Sequence, residues 1–293
     1  MSKKSNKYAG DQPAAYDPTG VSEYLGLGRP IDFDKKPVRI AMMCAVAISV
    51  VVTLWKCSTG MDSGAAVVSA LGYALSFLFS YMLALELDPD RQLGGFIGGG
   101  LTLIATYFMG EGNILVMLWL LFILRMLNRS SGDRHRLIDN VIMIGSAAWL
   151  GLQGLWVFPL LTGAAYILES QIQAGYLRSL YLAGISLACL IFAKYDTVAN
   201  ELSMSNIIIM ALAFILFLPE IRVADYVKSK GDKNGKRLLP KRLQTMQGYF
   251  CMMLFSLTFL HGNAIVPSLM PAVGAAAGCG IYLFVALLKH EVF

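Results

Sequence analysis

Apolar residues in this chain fall into long runs broken by short polar connections, with no sustained alternation. Ten runs stand out: Val38–Trp55, Ser63–Leu85, Leu93–Met109, Asn113–Leu127, Ile138–Leu152, Leu155–Leu168, Tyr176–Ala193, Met204–Leu218, Met246–Leu260 and Ile265–Leu288. The hydrocarbon layer of a bilayer is about 30 Å thick, and a helix needs roughly 20 mostly apolar residues to cross it. Helix is the reading for every run, because an open strand edge in lipid leaves amides without partners and the period-two pattern of a membrane barrel is missing. Several middle runs fall short of a comfortable span, so either interfacial residues lengthen them or some do not cross fully. The expected architecture is an all-α, polytopic integral membrane helix bundle of about ten transmembrane helices.

Charge orients the bundle, since Lys and Arg collect in short cytoplasmic loops. With the amino terminus inside, the leading segment carries Lys3, Lys4, Lys7, Arg29, Lys35 and Lys36. The inner loops then hold Arg91, the group Arg125, Arg129, Arg134 and Arg136, then Arg178, the group from Arg222 to Arg242, and Lys289. Outer loops keep only Lys56 and Lys194. The count turns on Gly151-Leu152-Gln153-Gly154, which is either a tight glycine turn or the middle of one long tilted helix. The second choice gives nine spans and puts the strongly basic loop outside, so ten spans with both termini cytoplasmic is expected.

Composition agrees: 56% of the 293 residues are hydrophobic and the mean hydropathy is +0.60, against roughly 45–50% apolar residues in soluble domains. Residues 1–37 read as a mobile polar cytoplasmic tail and 38–293 as the transmembrane helical domain. A cleaved signal peptide is not expected, because the first apolar run starts late and no small-residue cleavage site follows it. A bacterial-type inner membrane or a plasma membrane fits this layout. The net charge of +5 reflects topology and contact with anionic lipid more than affinity for nucleic acid. Of the five cysteines only Cys57 falls near the outer surface, and no spacing suggests a disulfide framework or a zinc site. His135, His261 and His290 are too dispersed for a metal-ligand pattern.

Two inner segments carry candidate chemistry. Glu86-Leu87-Asp88-Pro89-Asp90-Arg91-Gln92 offers two carboxylates, Asp88 and Asp90, that could hold Mg²⁺ bridging to a substrate phosphate. The plainer reading is a turn in which Asp90 caps the helix beginning near Leu93. The stretch Arg125 to Arg136 offers guanidinium, amide and hydroxyl donors suited to phosphate oxygens. Arg125 and Asn128, three apart, share a face if the fourth helix extends that far. The candidate substrate-binding residues are therefore Asp88, Asp90, Arg91, Arg125, Asn128 and Arg129, with Glu169 and Glu220 placed to join them. Charge pairing of Asp88 or Asp90 with Arg125 or Arg129 would equally lock two helical hairpins together, and that structural role is preferred. The basic loop 222–242 suits anionic lipid headgroups. It lacks the interleaved aromatics that would stack nucleic-acid bases.

Small residues, Gly94, Gly95, Gly98, Gly99 and Gly100 in one run and Gly274 and Gly278 in the last, are read first as close helix contacts, with a passage lined by exposed backbone or a flexible hinge as the alternative. Pro159, Pro267 and Pro271 suggest kinks. The Asp88/Asp90 segment invites comparison with the aspartate-rich loops of isoprenoid-transferring membrane enzymes, but the corresponding later loop reads Glu169-Ser170-Gln171. The aspartate pattern of alcohol phosphatidyltransferases and a Walker-type phosphate loop are also missing. The sequence therefore favours a non-enzymatic carrier or membrane scaffold bound to membrane lipids. The alternative is a membrane enzyme acting on a lipid or isoprenoid phosphate at the cytoplasmic interface, which requires the two inner segments to meet at one cavity.

Overall fold

A computed structural model describes residues 24–29, 33–195 and 201–289. Lys3, Lys4, Lys7 and His290 lie outside the described residues, as does most of the leading segment. Among the described residues there are ten α-helices and no strand: α1 (Lys36–Ser58), α2 (Ser63–Leu87), α3 (Leu93–Met109), α4 (Ile114–Asn128), α5 (Leu137–Leu152), α6 (Val157–Gln171), α7 (Ser179–Ala188), α8 (Met204–Val223), α9 (Pro240–His261) and α10 (Val266–Leu288). Four helical stretches, Lys36–Ser58, Ser63–Leu87, Met204–Tyr226 and Val266–Leu288, are long and apolar enough to cross a membrane.

Local chemistry sets several helix starts. Asp62 accepts the Gly64 amide at 2.9 Å, Asn113 accepts that of Leu115 at 2.9 Å, and Ser203 accepts that of Asn206. Each side chain satisfies an amide that the first turn leaves open. Gly151–Gly154 is a break between two helices: α5 stops at Leu152, Gly154 turns with φ +97°, and α6 begins at Val157. The seventh element corrects the expectation of a helix over Tyr176–Ala193. Its α-helix is only ten residues, Ser179–Ala188, and tightens into a 3₁₀ turn at Cys189–Phe192. The ninth starts earlier than its apolar run, at Pro240, because proline at the first turn gives up an amide that would be unpaired anyway.

Glycine decides the packing of α3. Gly94 and Gly98 lie against α10, where a Cβ on Gly98 would sit 2.8 Å from the Gly274 carbonyl oxygen and one on Gly278 would sit 2.4 Å from that of Gly94. Gly95 and Gly99, on the neighbouring stripe, receive the rings of Tyr81 and Phe77 from α2. The helix is thus wedged between two neighbours at backbone distance, the use of small residues expected where no hydrophobic force separates helix from lipid. Around this wedge, α2, α4, α6, α9 and α10 bury Trp119, Phe158, Tyr166, Phe250 and Ile123. The Trp119 indole N–H donates to Thr162 at 2.8 Å, tying α4 to α6. Pro159 and Pro267 fall in first turns, whereas Pro219 and Pro271 lie inside α8 and α10.

The outer helices show their apolar sides. On α1, Met43, Val46, Val50, Val51 and Leu54 are exposed, and on α8 so are Met204, Ile208, Leu212 and Ile215. Exposed aliphatic faces on helices of this length are what lipid contact requires. The leading segment is also not wholly free. Asp139 accepts the amides of Gly26 at 2.7 Å and Leu27 at 3.1 Å, Lys233 donates to the carbonyls of Leu25 and Gly26, and Leu27 is fully buried. Residues 24–29 are therefore docked on the bundle, which corrects the reading of 1–37 as mobile over that stretch.

Candidate functional site: the charged end of the bundle

The C-terminal ends of α2, α4, α6 and α8 meet the starts of α3, α5 and α9 at one end of the molecule, and side-chain ion pairs join them there. The opposite end is held mainly by neutral groups, such as Ser268 Oγ accepting the Asn113 amide at 2.9 Å and Asn263 Oδ1 accepting from Asn206 at 2.8 Å.

The charged end divides into three parts. In the first, fully buried Glu86 accepts Arg29 at 3.0 Å and Arg125 at 3.1 Å, while Asn128 Nδ2 donates to the Glu86 carbonyl at 3.3 Å. Because α4 does reach Asn128, Arg125 and Asn128 share the face turned to Glu86. Arg29 also bonds Asp232, and Lys35 stands 3.8 Å from the same carboxylate. Beside this group a cleft of about 340 Å³ runs between α1 and α2.

In the second part, Arg91 lies between Asp88 at 3.1 Å and Glu220 at 3.3 Å. Both Asp90 oxygens are engaged by the long α8–α9 loop: Lys228 N and Ser229 N donate at 2.8 Å each. A cavity of about 440 Å³ opens here, with Asp88, Asp90, Arg91 and Glu220 among its walls. In the third, buried Glu169 bonds Arg129 at 2.6 Å and also Arg242. Arg242 further donates to the Leu127 carbonyl at 3.0 Å and the Gln173 carbonyl at 2.9 Å. Above it lies a cavity of about 410 Å³ lined by Asn128, Arg129 and several loop cations.

The six candidate residues therefore share one end of the bundle but not one cavity. Asp88, Asp90 and Arg91 line the second space, Arg125 the first, and Asn128 and Arg129 the third. Two pairings expected from sequence change partners. Arg125 takes Glu86 and Arg129 takes Glu169, each a carboxylate at the end of an apolar run, while Asp88 stays with Arg91. Asp90 does not cap α3, whose start has no side-chain cap; it holds the α8–α9 loop instead. A Mg²⁺ centre at Asp88 and Asp90 does not fit this arrangement: Asp90 is committed to two amides, Asp88 to a guanidinium, and no group of three His, Cys, Asp or Glu among the described residues is arranged for a metal ion. The residues passed over by sequence are Arg29, Glu86 and Arg242, and an isolated carboxylate closing an apolar run is the signal that points to Glu86 and Glu169.

Burial raises the Asp88 carboxyl above its ordinary range, against the pull of Arg91. Arg29 stays firmly charged, since Glu86 and Asp232 outweigh the burial that disfavours its cation. In the α4–α5 loop, burial pushes the His135 imidazole down to about 4; Asn140 opposes the shift and Arg129, Arg134 and Arg242 add to it. His135 Nε2 lies 3.0 Å from Ser179 Oγ, with the rings of Tyr166 and Tyr176 at its sides. Comparison with known protein families, curated proteins and solved structures finds no match to this chain.

Proposed function

We propose that the protein is a multi-pass integral membrane protein of ten spans, with its charged end and both termini in the cytosol, that holds a lipid phosphate as a carrier or scaffold rather than transforming it. The observation that carries this reading is the two-ended character of the α1–α2 cleft. Its walls are Val38, Ala41 and Met42 from α1 and Leu78, Met82 and Leu85 from α2. At its polar end stand Arg29, Lys35, Arg125 and Lys230 against two carboxylates, Glu86 and Asp232. Apolar walls suit an acyl or isoprenoid chain, and a surplus of cations suits a phosphate.

One feature supports binding over catalysis, a second the inside orientation of this end, and a third the number of spans. The two carboxylates proposed as metal ligands are already engaged, Asp88 by Arg91 and Asp90 by the amides of Lys228 and Ser229. The basic residues of the leading segment and of four alternate connections, α2–α3, α4–α5, α6–α7 and α8–α9, gather on this side, as the positive-inside rule requires for a cytosolic face. The 17-residue α3 and the 16-residue α5 reach membrane length when their polar flanks are counted as interfacial.

The test is retention of phosphatidic acid against phosphatidylcholine by the full chain purified from mixed-lipid membranes. Lys35→Glu and Met42→Trp, one at the cationic end and one in the apolar wall, are each expected to weaken phosphatidic acid retention by about tenfold with the melting temperature unchanged. Equal retention of both lipids, unaltered by either substitution, would contradict the proposal. Mg²⁺-dependent turnover of the bound lipid would replace it with the enzyme reading.

A further inference from the structure

The third cavity has a different character from the lipid cleft and stands independently of it. Its walls come from three connections, α4–α5, α6–α7 and α8–α9, and from the first turn of α9. Five cations line it: Arg129, Arg134, Lys236, Arg237 and Arg242. The carboxylate in the lining, Asp133, is paired with Arg136 at 2.7 Å. Beneath the floor Glu169 is shared between Arg129 and Arg242, so one negative charge serves two guanidinium groups.

The other three have no carboxylate in ion-pair range among the described residues. Arg134 lies over the Tyr176 ring at 5.0 Å, Arg237 donates to the Val227 carbonyl, and Lys236 is exposed. Like charges gathered in a concavity repel, and a surface that merely obeys topology would spread them out. Here the backbone is built to keep them together. Arg129 adopts φ 53° and Gly132 φ 83°, conformations in which the loop folds back on itself. The α8–α9 loop is stitched to it by Lys233 N on the Ser131 carbonyl at 2.9 Å and Asn234 Nδ2 on the Gly132 carbonyl at 2.6 Å. Gly231 packs so closely that a Cβ there would lie 2.8 Å from Gly132 Cα.

A separate observation points to a ligand. Arg129 Nε is buried and has no acceptor, and Asn128 Oδ1, on a side chain 1% exposed that lines the same cavity, has no donor. Buried donors left open cost stability unless something supplies their partner. The apolar part of the lining is small, with Leu238, Leu239 and Ala174, so the space lacks the long chain-binding wall of the α1–α2 cleft.

We propose that this cavity is a binding site for a multiply charged phosphate group, a phosphomonoester or diphosphate, entering from the aqueous side. Arg129 and Arg242 form the floor, and Arg134, Lys236 and Arg237 close over the remaining oxygens. Inorganic pyrophosphate and the headgroup of phosphatidic acid present the same chemistry, and the experiment separates them. Pyrophosphate is titrated calorimetrically into the full chain in detergent, and a nanodisc arm compares phosphatidylcholine with and without phosphatidic acid. Arg134→Gln and Lys236→Gln, both at exposed rim positions, are each expected to weaken binding by about tenfold, while Met42→Trp in the lipid cleft leaves it unchanged.

Saturable pyrophosphate binding that weakens in the two rim variants supports the site with a soluble ligand. If phosphatidic acid in the nanodisc blocks pyrophosphate in a rim-dependent manner, the site is supported with a lipid headgroup as its source. Absence of binding in both arms, binding unaltered by both rim variants, or displacement by chloride at equal concentration would overturn the proposal. Because Met42→Trp reads on the other cleft alone, failure here leaves the carrier reading standing, and the reverse also holds.

Discussion

Arg125 Nε donates to Glu86 Oε1 at 3.1 Å, closing the end of α4 onto the end of α2 with a carboxylate that has no exposed surface. The same oxygen takes Arg29, so a single buried anion ties two helices and the docked leading segment.

Removing that anion strands the Arg125 guanidinium and leaves Arg29 with Asp232 alone. Breaking a buried pair by deleting one partner typically costs about 3–5 kcal/mol, so Glu86→Ala is expected to lose about that much in reversible unfolding in detergent. Glu86→Leu combined with Arg125→Leu is expected to recover part of the loss, since it removes one stranded cation. A Glu86→Ala protein as stable as wild type would show that the pairs hold nothing.

The α3–α10 contact predicts a contrast within one helix. Gly98→Ala forces a Cβ against the Gly274 carbonyl and is expected to cost about 1–3 kcal/mol by overpacking. Gly100→Ala meets nothing within 4 Å and is expected to be neutral, or to stabilise by up to about 1 kcal/mol through the helix preference of alanine. Equal effects in a thermal-unfolding comparison would contradict the wedge.

His135 gives the protein a pH dependence with a definite sign. Its ordinary value of 6.5 falls to about 4 in the fold, so between those values the unfolded chain binds the extra proton and stability drops as pH falls. The contribution is fully present above 6.5 and is lost on acidification towards 4, by roughly 3 kcal/mol in all. Melting temperatures measured from pH 7.5 to 4.5 should fall less steeply for His135→Asn than for wild type. Parallel curves would show that the imidazole titrates normally.

Asp90 predicts a local effect instead of a global one. Its two oxygens anchor the α8–α9 loop at Lys228 and Ser229. Asp90→Ala should therefore speed trypsin cleavage at Lys228, Lys230 and Lys236 several-fold while leaving the melting of the bundle nearly unchanged, because loops open independently of cores. An unchanged cleavage rate would mean the loop is held by other contacts.

Much of the fold was legible because its causes are local. Apolar run length gave the helices, Gly151 to Gly154 gave the break between α5 and α6, and the glycine spacings of 94, 98, 274 and 278 announced a close contact. The partners of the charges were not legible. Which arginine meets which carboxylate depends on how α2, α4, α6 and α9 sit beside one another, and that is decided by interior shape, not by neighbours in the chain. Asp90 illustrates the point: its position just before α3 suits a cap, yet a loop 138 residues away supplies the amides it accepts. Arg242 looked like one more basic loop residue until the start of α9 carried it under Glu169. The short α7 was overestimated because hydropathy does not register where an α-helix tightens into a 3₁₀ turn.

The most direct measurement of the central claim is sidedness of the two ends in intact cells or sealed vesicles. Cys57, exposed in the last turn of α1, and a cysteine placed at Lys228 in a Cys57→Ser background are each probed with a membrane-impermeant maleimide. The account predicts that Cys57 reacts from outside and that Lys228→Cys reacts only after the membrane is opened. Labelling of Lys228→Cys in unbroken cells would contradict it, because the arginine-rich end would then face the wrong compartment for the lipid cleft and the phosphate cavity alike.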